Sequence, residues 1–462
     1  MTFIGNSKTV SNVIIDNEFI LKNCVPAVLR DAGISPFDYQ YEGIKALFQK
    51  NRFLLSDDPG LGKSMQSIVA VNLVQRFNTH HLYQDEWLLK PLKVLVIGTK
   101  SIVLNWKREI SNWSNPVTEW TVINHDKLIG KDHEKYLKNW DIVIADESAL
   151  YIKNQNTLRC KMFMQIISTS ERVWLMTATP ASKCASDYYV TLKVLLPDIF
   201  NKISLTKFKM RYCQAIKDPY TYSGVTYAGF HKKNIAELNK VFRACALGRK
   251  QDEVKKDLPP LTFSEYFVDV DNVENFSKEE IEEIKKRIWE GVELSSQYQA
   301  VLRTNAIHKI PSILELLSTY PLDKKVVLFI WHTDVADKLV SEISKTDRKV
   351  DKITGQITSE LKRQDIIDRF QTGDLNTLVL NMQSGGVGIN LTAATVGIYV
   401  QFPSVASMWI QSLKRIHRIG SKEPVQIIKV MIEGSIDEEI FSVLEQRLEY
   451  IEQVGLQSRR EL

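Results

Sequence analysis

Cysteine is scarce. Cys24, Cys160, Cys184, Cys213 and Cys245 are odd in number, widely scattered, and include no Cys-x-x-Cys pair. That pattern argues against a disulfide framework or a structural zinc site and predicts reduced thiols in a cytosolic compartment. Long hydrophobic runs are missing too, since none approaches the ~20 residues of a membrane span. The first residues, MTFIGNSKTVSN, carry no apolar signal-peptide core. The expectation is a soluble, cytoplasmic protein with no membrane partner. No block of like charge reads as a nucleic-acid-binding tail or nuclear address, and there is no solenoid repeat or low-complexity tract. What remains is an ordinary globular composition of 462 residues, 44% hydrophobic, with net charge +5. This length fits roughly two to four domains, and the mild basic excess is compatible with a polyanion partner without demanding one.

Short apolar runs recur along the chain: VLVIG (94–98), DIVIAD (141–146), VWLMT (173–177), VVLFI (326–330), TLVLN (377–381), GIYVQ (397–401) and VQIIKVM (425–431). Continuous rather than alternating apolarity suits strands buried on both faces. Helical stretches such as VLNWKREISNW and SELKRQDIIDRF lie between them, which predicts an α/β fold with parallel sheets covered by helices. The runs fall into two groups, before residue 180 and after 325, so the reading is two lobes in tandem with a mostly helical middle. The boundaries expected are a small N-terminal segment over 1–35, a first lobe over 36–255 with a helical insertion after 182, and a second lobe over 256–462 with a helical insertion at its start. NVIIDNEFIL, near the N-terminus, reads as a small strand pair of unknown role. The charged stretch SKEEIEEIKKRIWEG reads as a solvated helix face.

The chemistry concentrates in SDDPGLGKS, Ser56 to Ser64, which follows an apolar run and precedes a helical pattern. Strand, glycine loop and helix is the context of a phosphate-binding loop. Lys63 would supply charge to the phosphates and Ser64 a hydroxyl to Mg²⁺. Asp57 departs from the generic pattern at that position, and a plain glycine-rich turn is the alternative. DIVIADES adds acids at a strand end, Asp146 to hold Mg²⁺ and Glu147 to polarise a water. TATP places Thr177 at another strand end, where a simple turn before Pro180 explains it as well. LNMQSGGVGINLTAA carries Gly385, Gly386 and Gly388, which let backbone amides approach a ligand. In QSLKRIHRIGS, Arg415 and Arg418 would share a helix face, as arginine fingers or equally as a basic surface helix.

The ordered series SDDPGLGKS, VLVIGTKSIVLNWKREI, IADESALYIKN, LMTATP, GRKQDEVKKDLPP, ITGQITSELKRQDIIDRFQTG, SGGVGINLTAA and QSLKRIHRIGS resembles the superfamily-two helicases, and more narrowly their Swi/Snf-related DNA translocases. The likeness runs from about Phe37 to about Glu439, and that group carries Asp where Asp57 stands. It implies two RecA-like lobes and an ATP hydrolase acting on DNA. It implies that Lys63 and Ser64 bind phosphate and Mg²⁺, that Asp58, Gly60, Gly62 and Gly388 border the nucleotide, and that Gln40 reads adenine, making ATP the fuel. Asp146 would bind metal and Glu147 act as the catalytic acid, with Gln411, Arg415 and Arg418 completing the site from the second lobe. Thr99, Lys100, Ser101, Thr177, Ser384 and Gly385 would meet the nucleic-acid backbone. Ser56 and Pro59 depart from the usual loop, Ser148 and Ala149 from the usual acidic motif, and Ser421 from the usual last glutamine. The implied function is remodelling of duplex or branched DNA by a monomer, such as fork or junction unwinding or branch migration. No histone-reading or nuclease domain is recognisable, so nucleosome sliding is less expected, and a bacterial or viral source is. An RNA helicase and an ATP-gated clamp without motor activity remain the alternatives.

Overall fold

Strands whose two faces are both apolar must be covered on both sides, and the computed structural model arranges them so. It describes residues 15–82, 90–178, 184–217, 225–229, 231, 233–254, 259–270, 276–290, 294–383, 389–418 and 420–454. In chain order the strands are β1 (Arg52–Leu55), β2 (Lys93–Gly98), β3 (Glu119–Asn124), β4 (Ile142–Asp146), β5 (Arg172–Met176), β6 (Gln214–Lys217), β7 (Val225–Ala228) and β8 (Ala246–Leu247), followed by β9 (Leu261–Val268), β10 (Val326–Ile330), β11 (Val350–Ile353), β12 (Thr377–Asn381), β13 (Val396–Tyr399) and β14 (Val425–Ile432). They form two six-stranded parallel sheets, ordered β3-β2-β4-β5-β1-β8 and β11-β12-β10-β13-β14-β9, with β6 and β7 an antiparallel pair. A separate apolar core lies on each face of each sheet. The two-lobe α/β architecture expected from the apolar runs is what the sheets form.

One local expectation fails. The described part of NVIIDNEFIL is not a strand pair; Asn17–Cys24 is a helix. The Asp16 carboxylate accepts from the Phe19 N–H at 2.7 Å and caps the first turn. Ile20 and Cys24, four apart, are buried against the helix Lys63–Leu82, whose Asn72 amide donates to the Cys24 carbonyl at 2.8 Å. Residues 12–14 of that run lie outside the described residues.

The middle is mostly helical, as expected, with strands added. Tyr188–Leu195, Leu205–Tyr212 and Ile235–Arg243 are helices that close over the first sheet, with Tyr188 and Phe242 rings 4.5 Å apart. LTFSEYFV, however, is β9, which pairs in parallel along the whole of β14 and forms the edge of the second sheet. The charged stretch is the helix Lys278–Glu290, solvated on one side, but Ile284 and Ile288 on the other side are buried against the helix Ile436–Val454. Among the described residues no helix is long and apolar enough to cross a membrane.

Candidate nucleotide site at the seam between the lobes

In an open parallel sheet, ligands bind beyond the carboxyl ends of the strands. In the first sheet β4, β5 and β1 are neighbours, so Asp146, Thr177 and the loop after Leu55 come together there. That loop turns through Gly60 (φ 87°) and Gly62 (φ 77°) before the helix Lys63–Leu82 begins. Both backbones lie in the left-handed region that a side chain strains. Space is tight at one as well, since a Cβ at Gly62 would sit 2.6 Å from Gln40 Nε2 and displace that amide. A glycine turn feeding a helix N-terminus favours an anion through its free amides and the helix dipole. Lys63 is held at this turn, its Nζ donating to the Asp57 carbonyl at 2.7 Å and the Asp58 carbonyl at 3.2 Å. Ser64 follows in the first turn, half-buried.

Asp57 is fully buried, so its charge needs a partner. Arg249 supplies it with a two-pronged grip, Nε to Oδ1 at 2.9 Å and Nη2 to Oδ2 at 2.6 Å, while Gln66 Nε2 adds a bond at 3.1 Å. The Arg249 guanidinium also lies 5.1 Å from the Tyr39 ring centre. Gln40 is tied into the same loop: its Oε1 accepts from the Phe37 N–H at 2.9 Å and its Nε2 donates to the Leu61 carbonyl at 3.1 Å. The pair is 192 positions apart, so no local pattern in the sequence joins Asp57 to Arg249.

The acid pair closes the floor of the site. Asp146 accepts from the Trp106 indole N–H at 2.8 Å and from the Glu147 N–H at 2.9 Å. Burial pushes its carboxyl up, while the Trp106 bond and the charge of Lys63 pull it down. Glu147 has φ 48° and is the one non-glycine among the described residues with a left-handed backbone. Burial first, and the Asp146 charge second, push its carboxyl up to about 7. Lys63 and a hydrogen bond with Thr177 oppose the rise. Thr177 is 1% exposed, so the structure puts it inside the acid site rather than on a nucleic-acid surface. Thr99 and Lys100 lie at the carboxyl end of β2, with Lys100 exposed, and Ser101 continues that turn. Ser384, Gly385, Gly386 and Gly388 lie outside the described residues.

From the second lobe, the helix Ala406–Ile416 points its end at this loop. It stops before Arg418, so Arg415 and Arg418 do not share a helix face as expected. The helix ends at His417, whose extended backbone (φ −110°, ψ 95°) and ring contact to the Pro259 carbonyl at 2.8 Å turn the chain away. Arg415 is buried inside the second lobe beside Tyr399, and burial pulls its guanidinium down to about 10. The Tyr399 ring centre lies 4.5 Å from Phe329 and 4.1 Å from Trp409. Gln411 is half-buried on the same helix. Arg418 crosses the seam: its Nε lies 3.2 Å from where a Gly60 Cβ would be, buried and without a hydrogen-bond partner in the protein. Lys414, which sequence reasoning did not single out, also crosses, its Nζ 2.8 Å from Asp58 Oδ2.

Comparisons with known proteins give the chain a family. The SNF2-related domain matches residues 39–145 and 117–312, and the helicase conserved C-terminal domain matches residues 308–420. A Xenopus tropicalis protein, SWI/SNF-related matrix-associated actin-dependent regulator of chromatin subfamily A-like protein 1, is 26% identical over 92% of this chain and 45% of its own length. Human DNA annealing helicase and endonuclease ZRANB3 is 23% identical over 92% of this chain and 41% of its own. The chain thus spans about half the length of the curated relatives it matches. Among solved structures, the Sulfolobus solfataricus SWI2/SNF2 ATPase core in complex with dsDNA is 20% identical with a TM-score of 0.41, covering 91% of this chain and 93% of its own. With the SNF2-related domain covering more than half of its residues and the helicase C-terminal domain following in order, the chain belongs to the Swi/Snf-related group of superfamily-two helicases.

Proposed function

We propose that this chain is an ATP-driven motor on DNA that remodels duplex or branched substrates, with a first lobe over 36–255 and a second over 256–462. The observation that carries the reading is the seam, where an orphaned buried arginine nitrogen of the second lobe faces the glycine loop of the first. Lys63 and the loop amides take the β- and γ-phosphates, and Gln40 with the neighbouring Phe37 and Tyr39 borders the base. Ser64 and Asp146 are the oxygen ligands that fit Mg²⁺, which would neutralise charge developing on the phosphate oxygens. Glu147, poised near neutrality, accepts a proton from the attacking water. Arg418 stabilises the phosphoryl charge from the opposite lobe, while Arg415 and Gln411 brace the helix that delivers it.

A triphosphate bridging Lys63 and Arg418 favours closed lobes, and its hydrolysis removes that preference. If Thr99, Lys100 and Ser101 in one lobe and Ser384 and Gly385 in the other hold the phosphodiester backbone in turn, closure becomes stepping with little sequence preference. The relatives' printed names, a DNA annealing helicase and a regulator of chromatin, support DNA as the track. The test is multiple-turnover phosphate release with blunt duplex, forked, four-way and single-stranded DNA and with RNA. DNA should stimulate turnover, forked or four-way DNA should be opened or reannealed, and Lys63→Ala should abolish both. Stimulation by RNA alone would reject the DNA reading, and wild type without turnover on any DNA would indicate a clamp.

A further inference from the structure

We infer that Lys414 is a positioning residue for this site: it neutralises Asp58 on the phosphate loop from the opposite lobe and so fixes how the two lobes meet. The inference deepens the nucleotide-site reading and rests on it. Asp58 is 4% exposed, and its Oδ2 accepts from the Gln251 N–H at 3.0 Å and from Lys414 Nζ at 2.8 Å. The Gln251 bond aims the carboxylate at the second lobe. The Lys414 side chain is 19% exposed, so the pair is largely shielded from solvent, unlike a surface salt bridge.

The charge logic is specific. A loop that receives a triphosphate carries a carboxylate at its mouth, and an uncompensated anion there would repel the phosphates. Lys63 does not cancel it, because its ammonium is held by the Asp57 and Asp58 carbonyl oxygens and faces the Asp146 and Glu147 acids. Lys414 does cancel it, and only when the lobes are together. Lys414 also sits in the last turn of the helix Ala406–Ile416, just before the chain departs towards Arg418. Tethering that turn to Asp58 sets where the Arg418 guanidinium arrives against Gly60. One ion pair therefore links loop charge, lobe closure and arginine placement.

The experiment is a double-mutant cycle on the full chain with Lys414→Met, Asp58→Asn and the double variant, plus Lys414→Arg as the charge-preserving control. One readout is equilibrium binding of a fluorescent non-hydrolysable ATP analogue, with the KM-against-kcat split for ATP. The other is the inter-lobe distance by two-dye energy transfer without nucleotide. Lys414→Met should weaken analogue binding about tenfold and act mainly on KM. The double variant should recover to within about threefold of wild type because the repelling charge is gone, and Lys414→Arg should stay near wild type. Lys414→Met should also widen the lobes. Wild-type binding by Lys414→Met, or strictly additive effects in the cycle, would overturn the inference. If wild type binds no analogue, the nucleotide reading fails instead, and the distance readout still decides the pair: unchanged lobes in Lys414→Met would overturn it.

Discussion

Glu147 combines a left-handed backbone with a carboxyl raised to about 7, two departures from the ordinary that coincide on one side chain. Such strain persists only where the surroundings over-determine it, and here the Asp146 carboxylate accepts from the Glu147 N–H while Thr177 bonds the side chain. If Glu147 is the base, turnover should fall on the acid side of about pH 7, approaching tenfold per unit. Glu147→Gln should remove that limb together with most of the activity, read as a pH profile of phosphate release. The folded-state value lies above the ordinary 4.5, so the protonated form is the one that folding favours. This group's stabilising contribution is therefore fullest below 4.5 and is lost as pH rises through about 7, and Glu147→Gln should flatten that fall. Lys63, Ser64, Asp146 and Glu147 were legible because their signals are contiguous in the chain. Arg249 and Lys414 were not, because each meets its acid through contacts hundreds of positions away that no local pattern encodes.

The strands were legible because parallel sheets bury both faces and leave an unbroken apolar word such as VVLFI. β9 was not, because an edge strand keeps one side in water: Phe263, Glu265 and Phe267 are exposed, and its apolar positions are diluted by polar ones. Its partner β14 lies far along the chain, so nothing local announced the pairing. The helix Ala406–Ile416 packs on the second sheet because Gly397 in β13 leaves room. A Cβ there would lie 2.6 Å from Ile416 Cδ1 and 2.9 Å from Ile427 Cδ1, both in fully buried side chains with nowhere to retreat. Gly397→Ala should cost about 1–3 kcal/mol by overpacking, seen as a lowered denaturation midpoint. It should also raise KM for ATP by lifting the end of the helix that carries Lys414 and Arg418 towards the loop.

The assembled molecule is two sheets whose ligand-binding edges share a boundary. That boundary is formed by shielded contacts, whereas the candidate grip on DNA includes the exposed Lys100. Salt screens exposed charges far more than buried ones, so the two should separate experimentally. DNA-stimulated phosphate release should fall steeply, on a log–log line, as salt rises, while DNA-free turnover should change little. Equal sensitivity of both rates would contradict that division. The tandem order of lobes was legible from the gap between two groups of apolar runs, but the manner of their meeting was not, since it depends on where the helix Ala406–Ile416 stops.

The Trp106 indole steadies Asp146, and it belongs to the helix Val103–Trp113, which starts immediately after the turn at Lys100–Ile102. Gly98 lets that turn fold tightly, since a Cβ there would collide with Ile102 and come within 3.6 Å of the Asp146 Cβ. If the Lys100 turn meets the DNA backbone and Asp146 holds the metal, a tug on that turn would be felt at Asp146 through about one turn of a stiff helix. Ignition and traction would then share a single short lever, and load on the polymer would throttle fuel use without any signal crossing the rest of the machine.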